Sequence, residues 1–209
     1  MTAPAVTRKP HTDSPPDIDS LRDDIEFAAE LRGRQFEFAS TWGLFSPRAI
    51  DAGSQLLIKY LHIDEQDDCL DLGCGYGAIG LTMASLAPHG HTLMIDKDFV
   101  AVHYANRNAA RNGITNAEAL LSNGLADLPD GGSDVIATNL PAKSGKELYR
   151  IMFHDVAQRL RADGRFYVVS LSGLRHFVAR ELQAVFGNCE KLKTSGQYTL
   201  ALARKESPA

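Results

Sequence analysis

The segment Cys69-Leu-Asp-Leu-Gly-Cys-Gly-Tyr-Gly77 constrains this chain more than any other. A short apolar run carrying one acid, Asp71, gives way to glycines at 73, 75, 77 and 80, and Ala78–Leu86 then reads as a helix. Glycine accepts left-handed dihedrals and has no Cβ, so such a loop lets a ligand approach the backbone closely. Four glycines in so short a stretch exceed the needs of an ordinary tight turn. A strand–loop–helix of this kind belongs to alternating α/β architecture, with its ligand at the carboxyl ends of the strands, where the strand order reverses.

The rest of the chain continues that alternation. Strands are predicted at Cys69–Leu72, Thr92–Asp96, Ala117–Leu121, Val135–Thr138, Phe166–Leu171, Glu190–Lys193 and Tyr198–Ala203, and further helices at Phe99–Asn112, Lys146–Arg161 and Leu174–Phe186. Asn112-Gly113 and Asp163-Gly164 read as helix stops. Ser195-Gly196 is a turn between two strands with no helix, so the last pair is expected as an antiparallel hairpin at one edge. The fold class is thus α/β, a doubly wound, mainly parallel sheet with helices on both faces. Ahead of it, residues 1–17 carry four prolines and read as a flexible arm. Residues 18–62 read as a leading segment that forms one domain with the 63–209 core. Within it, Ser20-Leu-Arg-Asp23 has capping-box spacing before an amphipathic helix to about Leu31, Gln35–Ala39 alternates like a strand, and a helix starts near Ser54.

Two cofactors compete for the loop. Gly75-x-Gly77-x-x-Gly80 matches the dinucleotide fingerprint, and Asp96, closing the second strand, can accept both ribose hydroxyls of either ligand. Asp71 separates them. An acid inside the turn would repel a pyrophosphate, whereas S-adenosylmethionine (SAM) carries cationic amino and sulfonium groups and no phosphate. The pair of acids therefore favours SAM over NAD. The residues expected to hold it are Asp71, Gly73, Cys74, Gly75, Gly77, Ile79, Asp96, Lys97, Asn123, Gly124 and Asn139, with Asn123 reaching for the adenine amino group or serving as a plain turn residue.

The second constellation is Ala137-Thr-Asn-Leu-Pro-Ala-Lys-Ser-Gly-Lys146, after the fourth strand of the core. Asn139 and Leu140, braced by Pro141, are the expected catalytic residues. The Asn139 side-chain oxygen and the Leu140 carbonyl can both accept hydrogen bonds from one amino group, which aligns its lone pair with a methyl carbon, and most of the catalysis is then positioning. A turn at a strand end explains Asn-x-Pro equally well on spacing alone. A hydroxyl acceptor would need a general base, for which Lys143 and His154 are the nearby candidates. Phe45, Ser46, Ala142 and Lys143 are expected near the acceptor, with Trp42 as a further wall. Lys143, Lys146 and Arg150 form a basic cluster that either meets an anion or simply solvates a helix start.

The net charge of −4 is a weak vote against a protein that grips long nucleic acid by its phosphates. Three scattered cysteines without a C-x-x-C pair argue against disulfides and zinc, and no metal is expected. The N-terminus lacks the apolar core of a signal peptide and no apolar run is long enough to span a bilayer, so no membrane partner and a cytoplasmic location are expected.

From Leu31 to Arg204 the chain resembles the "methyltransferase small" family of class I SAM-dependent methyltransferases. Leu31-Arg-Gly-Arg-Gln-Phe-Glu-Phe38 and Gly43-Leu-Phe-Ser46 look like the family's leading segment, and Leu70-Asp-Leu-Gly-Cys-Gly-Tyr-Gly-Ala-Ile-Gly80 like its SAM loop. The nearest likeness is to the catalytic domain of small-subunit rRNA guanine exocyclic-amine methyltransferases and to single-domain archaeal relatives. The resemblance implies a seven-stranded sheet with the last strand antiparallel, and methyl transfer from SAM to a nitrogen of an RNA base. Relatives with an Asn-Pro-Pro signature methylate adenine or glutamine nitrogens. Here Leu140 replaces the first Pro, which is expected to loosen the turn, and Ala142 replaces a bulky residue that stacks on planar acceptors. RNA members often carry a second substrate-binding domain, for which this chain has no room. A small-molecule acceptor, methylated on N, O or C, is the alternative.

Overall fold

The structure is a computed structural model that describes residues 17–125, 128, 131–142 and 144–207. The arm expected over residues 1–17 therefore falls almost wholly outside the described residues, as does Lys143.

The segment expected as a helix to Leu31 is instead a strand. Ser20 donates its hydroxyl back to the Asp17 carbonyl, and only a three-residue 3-10 turn forms over Ser20–Arg22. Strand β1 (Ile25–Leu31) follows, pairing antiparallel with β2 (Arg34–Ser40). Ile25, Phe27, Ala29 and Leu31 turn inward with the period of two that a strand requires, although Ala28, Ala29 and Glu30 are good helix formers. The deciding residues are Arg32 and Gly33, with φ of 53° and 81°, the left-handed pair of a tight hairpin turn.

The outer edge of β2 is satisfied by side chains. On helix α3 (Phe99–Arg111), Asn108 accepts from the Ala39 N–H and donates to its carbonyl, and Asn112, the residue that closes the helix, does the same for Glu37. The two amides, one helical turn apart, stand in for a third strand and remove an open sheet edge. Next in the chain comes α1 (Ala52–Tyr60), capped by Asp51.

The main sheet contains β3 (Cys69–Leu72), β4 (Thr92–Asp96), β5 (Ala117–Leu121), β6 (Ser133–Asn139), β7 (Leu160–Leu171), β8 (Glu190–Ser195) and β9 (Tyr198–Arg204) in the order β5-β4-β3-β6-β7-β9-β8. β9 alone runs antiparallel to the parallel set and pairs with β8 as the expected edge hairpin. Helices α2 (Ala78–Leu86), α3, α4 (Lys146–Arg159) and α5 (Arg175–Phe186) connect the strands and cover the sheet. The chain leaves β3 for β4 and β5 on one side and returns to β6 on the other, which puts the switch point between β3 and β6. Asp163-Gly164 does not stop a helix: α4 ends at Arg159, and Asp163, with φ 61°, tips an excursion inside β7 between its pairings at Leu160 and Arg165.

Two cores flank the sheet. One joins Phe36, Phe38 and Leu57 of the leading segment to Leu81, Met83 and Met94, so the hairpin packs into the main core. The other gathers Leu140, Tyr149, Phe153, Phe166 and Leu182 beneath α4 and α5.

Candidate active site

Register puts the key residues in one row. Asp71 lies opposite Met94 on one side and Ala137 on the other, so two residues further along, Gly73 is level with Asp96 and Asn139. Asp96 is itself paired with Leu121. At about 5 Å between neighbouring strands, the ends of β4 and β6 lie roughly 10 Å apart, with the glycine loop between them.

The loop is held from below and behind. Gly73 and Cys74 donate to the Ile95 carbonyl at 2.9 and 3.0 Å, and Gly75 donates to Asp96 Oδ2 at 2.9 Å. A Cβ added at Gly73 or Gly75 would meet nothing within 4 Å, yet both have left-handed φ, 79° and 54°. Glycine is thus needed there for backbone shape, and open space lies over the loop. Gly80 has a different reason: an added Cβ would fall 2.4 Å from Met94 Cγ, so α2 could not close onto β4.

Asp71 does not open onto the loop. It is 1% exposed, and its Oδ2 accepts from the Gly80 N–H at 2.7 Å while Oδ1 is buried with no partner among the described residues. Burial lifts its carboxyl to about 7; the Gly80 amide opposes this and the charge of Asp96 adds to it. Asp96, half-buried at the strand end, accepts from Gly75 and, through Oδ1, from Asp98 N at 3.0 Å. Cys74 is buried, and its thiol is pushed well up by burial and by Asp71 and Asp96, so it is no nucleophile. Ile79 packs in the core rather than lining the loop. Lys97 and Asn123 are exposed beside Asp96, the latter following Ser122, whose N–H donates to the Asp96 carbonyl. Gly124, with φ 79°, receives the Ser122 hydroxyl on its carbonyl. These features fit SAM: an acid, Asp96, at the strand end beside a glycine loop that is open to a ligand.

At the other end of the row, Asn139 Nδ2 donates to Asp51 Oδ1 at 3.0 Å and to Ser54 Oγ at 3.1 Å. Its Oδ1 has no partner among the described residues and is not among their buried unpaired atoms. The Leu140 N–H donates to the Val169 carbonyl at 2.9 Å, and its side chain is 4% exposed. Leu140 therefore anchors the turn instead of loosening it, because it has the N–H that a proline lacks. Tyr149 donates to the Pro141 carbonyl and fixes the turn from the far side. Thr138 donates to the Leu72 carbonyl at 2.8 Å, tying the turn to the glycine loop's own strand.

Against known proteins, residues 35–201 match the methyltransferase small domain. The chain belongs to that family. It is 38% identical over 141 residues to YbxB of Bacillus subtilis, covering 66% of this chain and 70% of that protein. It is 26% identical to the ribosomal RNA large subunit methyltransferase G of Klebsiella pneumoniae, covering 86% of this chain but 49% of the relative. Among solved structures, the T. thermophilus 16S rRNA N2 methyltransferase RsmC, in complex with AdoMet and guanosine, superposes with a TM-score of 0.79 at 27% identity over 88% of this chain and 51% of that one. The chain thus spans about half the length of both rRNA methyltransferases. With its family, this chain is a SAM-dependent methyltransferase domain.

The remaining expected residues divide. Phe45 is 68% exposed, and Arg48 lies 4.4 Å over the ring of exposed Trp42, so these aromatics are not core. The Ser46 carbonyl lies 3.4 Å from the Tyr76 hydroxyl of the glycine loop, and Asp51 meets Asn139, so residues 45–51 bridge the two ends of the row. Ala142 is exposed. His154 is turned away, exposed and bonded to Gln158 on its own helix. Lys146, Arg150 and Arg180 ring Phe177, with Arg150 and Arg180 on Glu181. Asp51, Ser54 and Tyr149 were not found from sequence. Asp51 is recognisable there only as a helix cap.

Among the described residues no group of His, Cys, Asp or Glu could hold a metal ion, and no helix is long and apolar enough to cross a membrane.

Proposed function

We propose that this chain methylates an exocyclic amino nitrogen of an RNA base. The observation that carries the reading is a pair of acceptors with no partner among the described residues, Asn139 Oδ1 and the Leu140 carbonyl, at a strand end level with the glycine loop. When bound, SAM supplies an electrophilic methyl carbon on a sulfonium. Gly73, Gly75 and Asp96 would hold it, with Asn123 and Gly124 beside the adenine, while buried Asp71 would brace the loop from behind through the Gly80 N–H. Asn139 and Leu140 would each accept one hydrogen of an NH₂ group, so its lone pair points along the row towards the loop. A group with two hydrogens satisfies both acceptors, and a hydroxyl satisfies only one. The extra proton that methylation leaves on nitrogen would pass to water, since no general base faces these two acceptors among the described residues. Phe45 and Trp42 offer exposed rings for stacking of a base, a contact worth about 1–3 kcal/mol. Ala142 adds no ring of its own. Residues 18–207 act as one domain in this reading, in the cytoplasm.

The rRNA methyltransferases among the relatives support RNA as the acceptor class, and the guanosine bound to the T. thermophilus enzyme supports a purine amine. Incubation with labelled SAM and RNA from cells lacking this protein is expected to label a base amino group, with the label lost in Asn139→Ala. Label confined to small molecules would transfer the reading to a metabolite acceptor.

A further inference from the structure

The polarity of the Asn139 amide is decided outside its own strand. Asp51 Oδ1 accepts from the N–H groups of Gly53 at 2.9 Å and Ser54 at 3.1 Å, closing the N-terminus of α1, and the same oxygen accepts from Asn139 Nδ2. The second hydrogen of that NH₂ goes to Ser54 Oγ, and Ser54 is buried. A side-chain amide can be turned end for end with little change of shape, so its neighbours alone set which end faces which way. An oxygen already receiving two backbone N–H groups can only accept. It refuses the amide's carbonyl, draws Nδ2 inward and leaves Oδ1 outward.

We infer that Asp51 is the positioning residue of the acceptor site, fixing Asn139 so that the site admits a hydrogen-bond donor, an amino group, and rejects a group that presents only a lone pair. The inference rests on the reading that Asn139 Oδ1 meets the acceptor. Its geometry extends to the cofactor side. Asp51 closes the segment whose Ser46 and Ala49 carbonyls lie against the Tyr76 hydroxyl at 3.4 and 3.3 Å. Tyr198 packs against the same turn: a Cβ added at Gly53 would fall 2.8 Å from its ring and 2.9 Å from Asp51 Oδ1. The acceptor's polarity is therefore set by the segment that bridges cofactor loop and acceptor turn.

The test separates positioning from capping. Asp51→Ser keeps a good helix cap, but a hydroxyl can donate as well as accept, so it no longer dictates how the amide lies. In this variant kcat for methylation of RNA from cells lacking the protein is expected to fall roughly tenfold to a hundredfold. Melting temperature, and the affinity for the demethylated cofactor measured by calorimetry, should stay near wild type. In an Asn139→Ala background the same change should cost nothing more; an additive loss would overturn the inference.

A second measurement needs no substrate. The side-chain ¹H–¹⁵N amide pair of Asn139, identified by its loss in Asn139→Ala, should be protected from exchange in the wild type and lose that protection in Asp51→Ser. A pair that does not respond overturns the inference whatever the enzyme methylates. A pair that responds, in a protein inactive on every RNA, upholds the positioning and overturns the RNA reading instead.

Discussion

The two ends of the catalytic row are built in opposite ways. The cofactor end is made of neighbours in sequence: Asp71, the glycines from 73 to 80 and Asp96 belong to one strand–loop–helix–strand unit, and most of the contacts are to backbone. The acceptor end is assembled from side chains far apart in the chain, with Asp51, Ser54, Asn139, Tyr149 and Val169 on four different elements or their caps. A local unit can bind a cofactor wherever the fold places it, whereas an assembled one exists only when the whole sheet has closed. Binding and transfer should therefore fail separately when each end is damaged.

The largest effect is expected at the acceptor end. Asn139→Ala should lower kcat by about a hundredfold, the scale of a lost positioning contact, while calorimetry finds affinity for the demethylated cofactor unchanged. If affinity fell as well, the two ends would not be independent.

At the cofactor end, Gly80→Ala forces a methyl group into Met94, which is fully buried and cannot swing away. Overpacking of this kind costs about 1–3 kcal/mol, to be read from denaturant unfolding. If Asp96 holds the ribose as proposed, Asp96→Ala should weaken SAM binding more than about tenfold, through that contact and the loosened Gly75 amide. Unchanged affinity would mean that the carboxylate serves the loop alone.

Leu140→Pro gives the Asn-Pro-Pro sequence that the family resemblance suggests, and removes both the bond to Val169 and a buried side chain. A loss of about 1–2 kcal/mol in stability is expected, with the carbonyl still able to accept. A stabilised variant would show that Val169 adds nothing to the turn.

A further effect is a drift with pH. With its carboxyl at about 7 in the fold against an ordinary 3.8, Asp71 keeps its proton longer folded than unfolded. Its contribution is fully present below the ordinary value and is lost as pH rises through the folded one. The melting temperature of Asp71→Asn minus that of wild type should therefore grow from pH 5 to pH 8. A difference that shrinks would mean that a donor hidden in the fold already meets Oδ1.

Much of this fold is legible in the local sequence. The seven strands, the edge hairpin and the position of the glycine loop follow from local pattern, because turn chemistry and apolar runs act over a few residues. The leading segment was misread because Ala28-Ala29-Glu30 has helical propensity, and only pairing with β2 and the Arg32-Gly33 turn overrides it. Leu140 was misjudged for a related reason. A proline lost from a turn looks like lost rigidity until the Val169 carbonyl is seen across from it.

The sequence by itself determined where the cofactor loop lies, since its glycines and Asp96 fall within one unit whose backbone geometry glycine dictates, whereas the fold turned Asp71 inward. Only the tertiary structure decided which way Asn139 faces. Its partners, Asp51 and Ser54, are 88 and 85 residues away, and an amide has no preferred end until a carboxylate and a hydroxyl are brought against it.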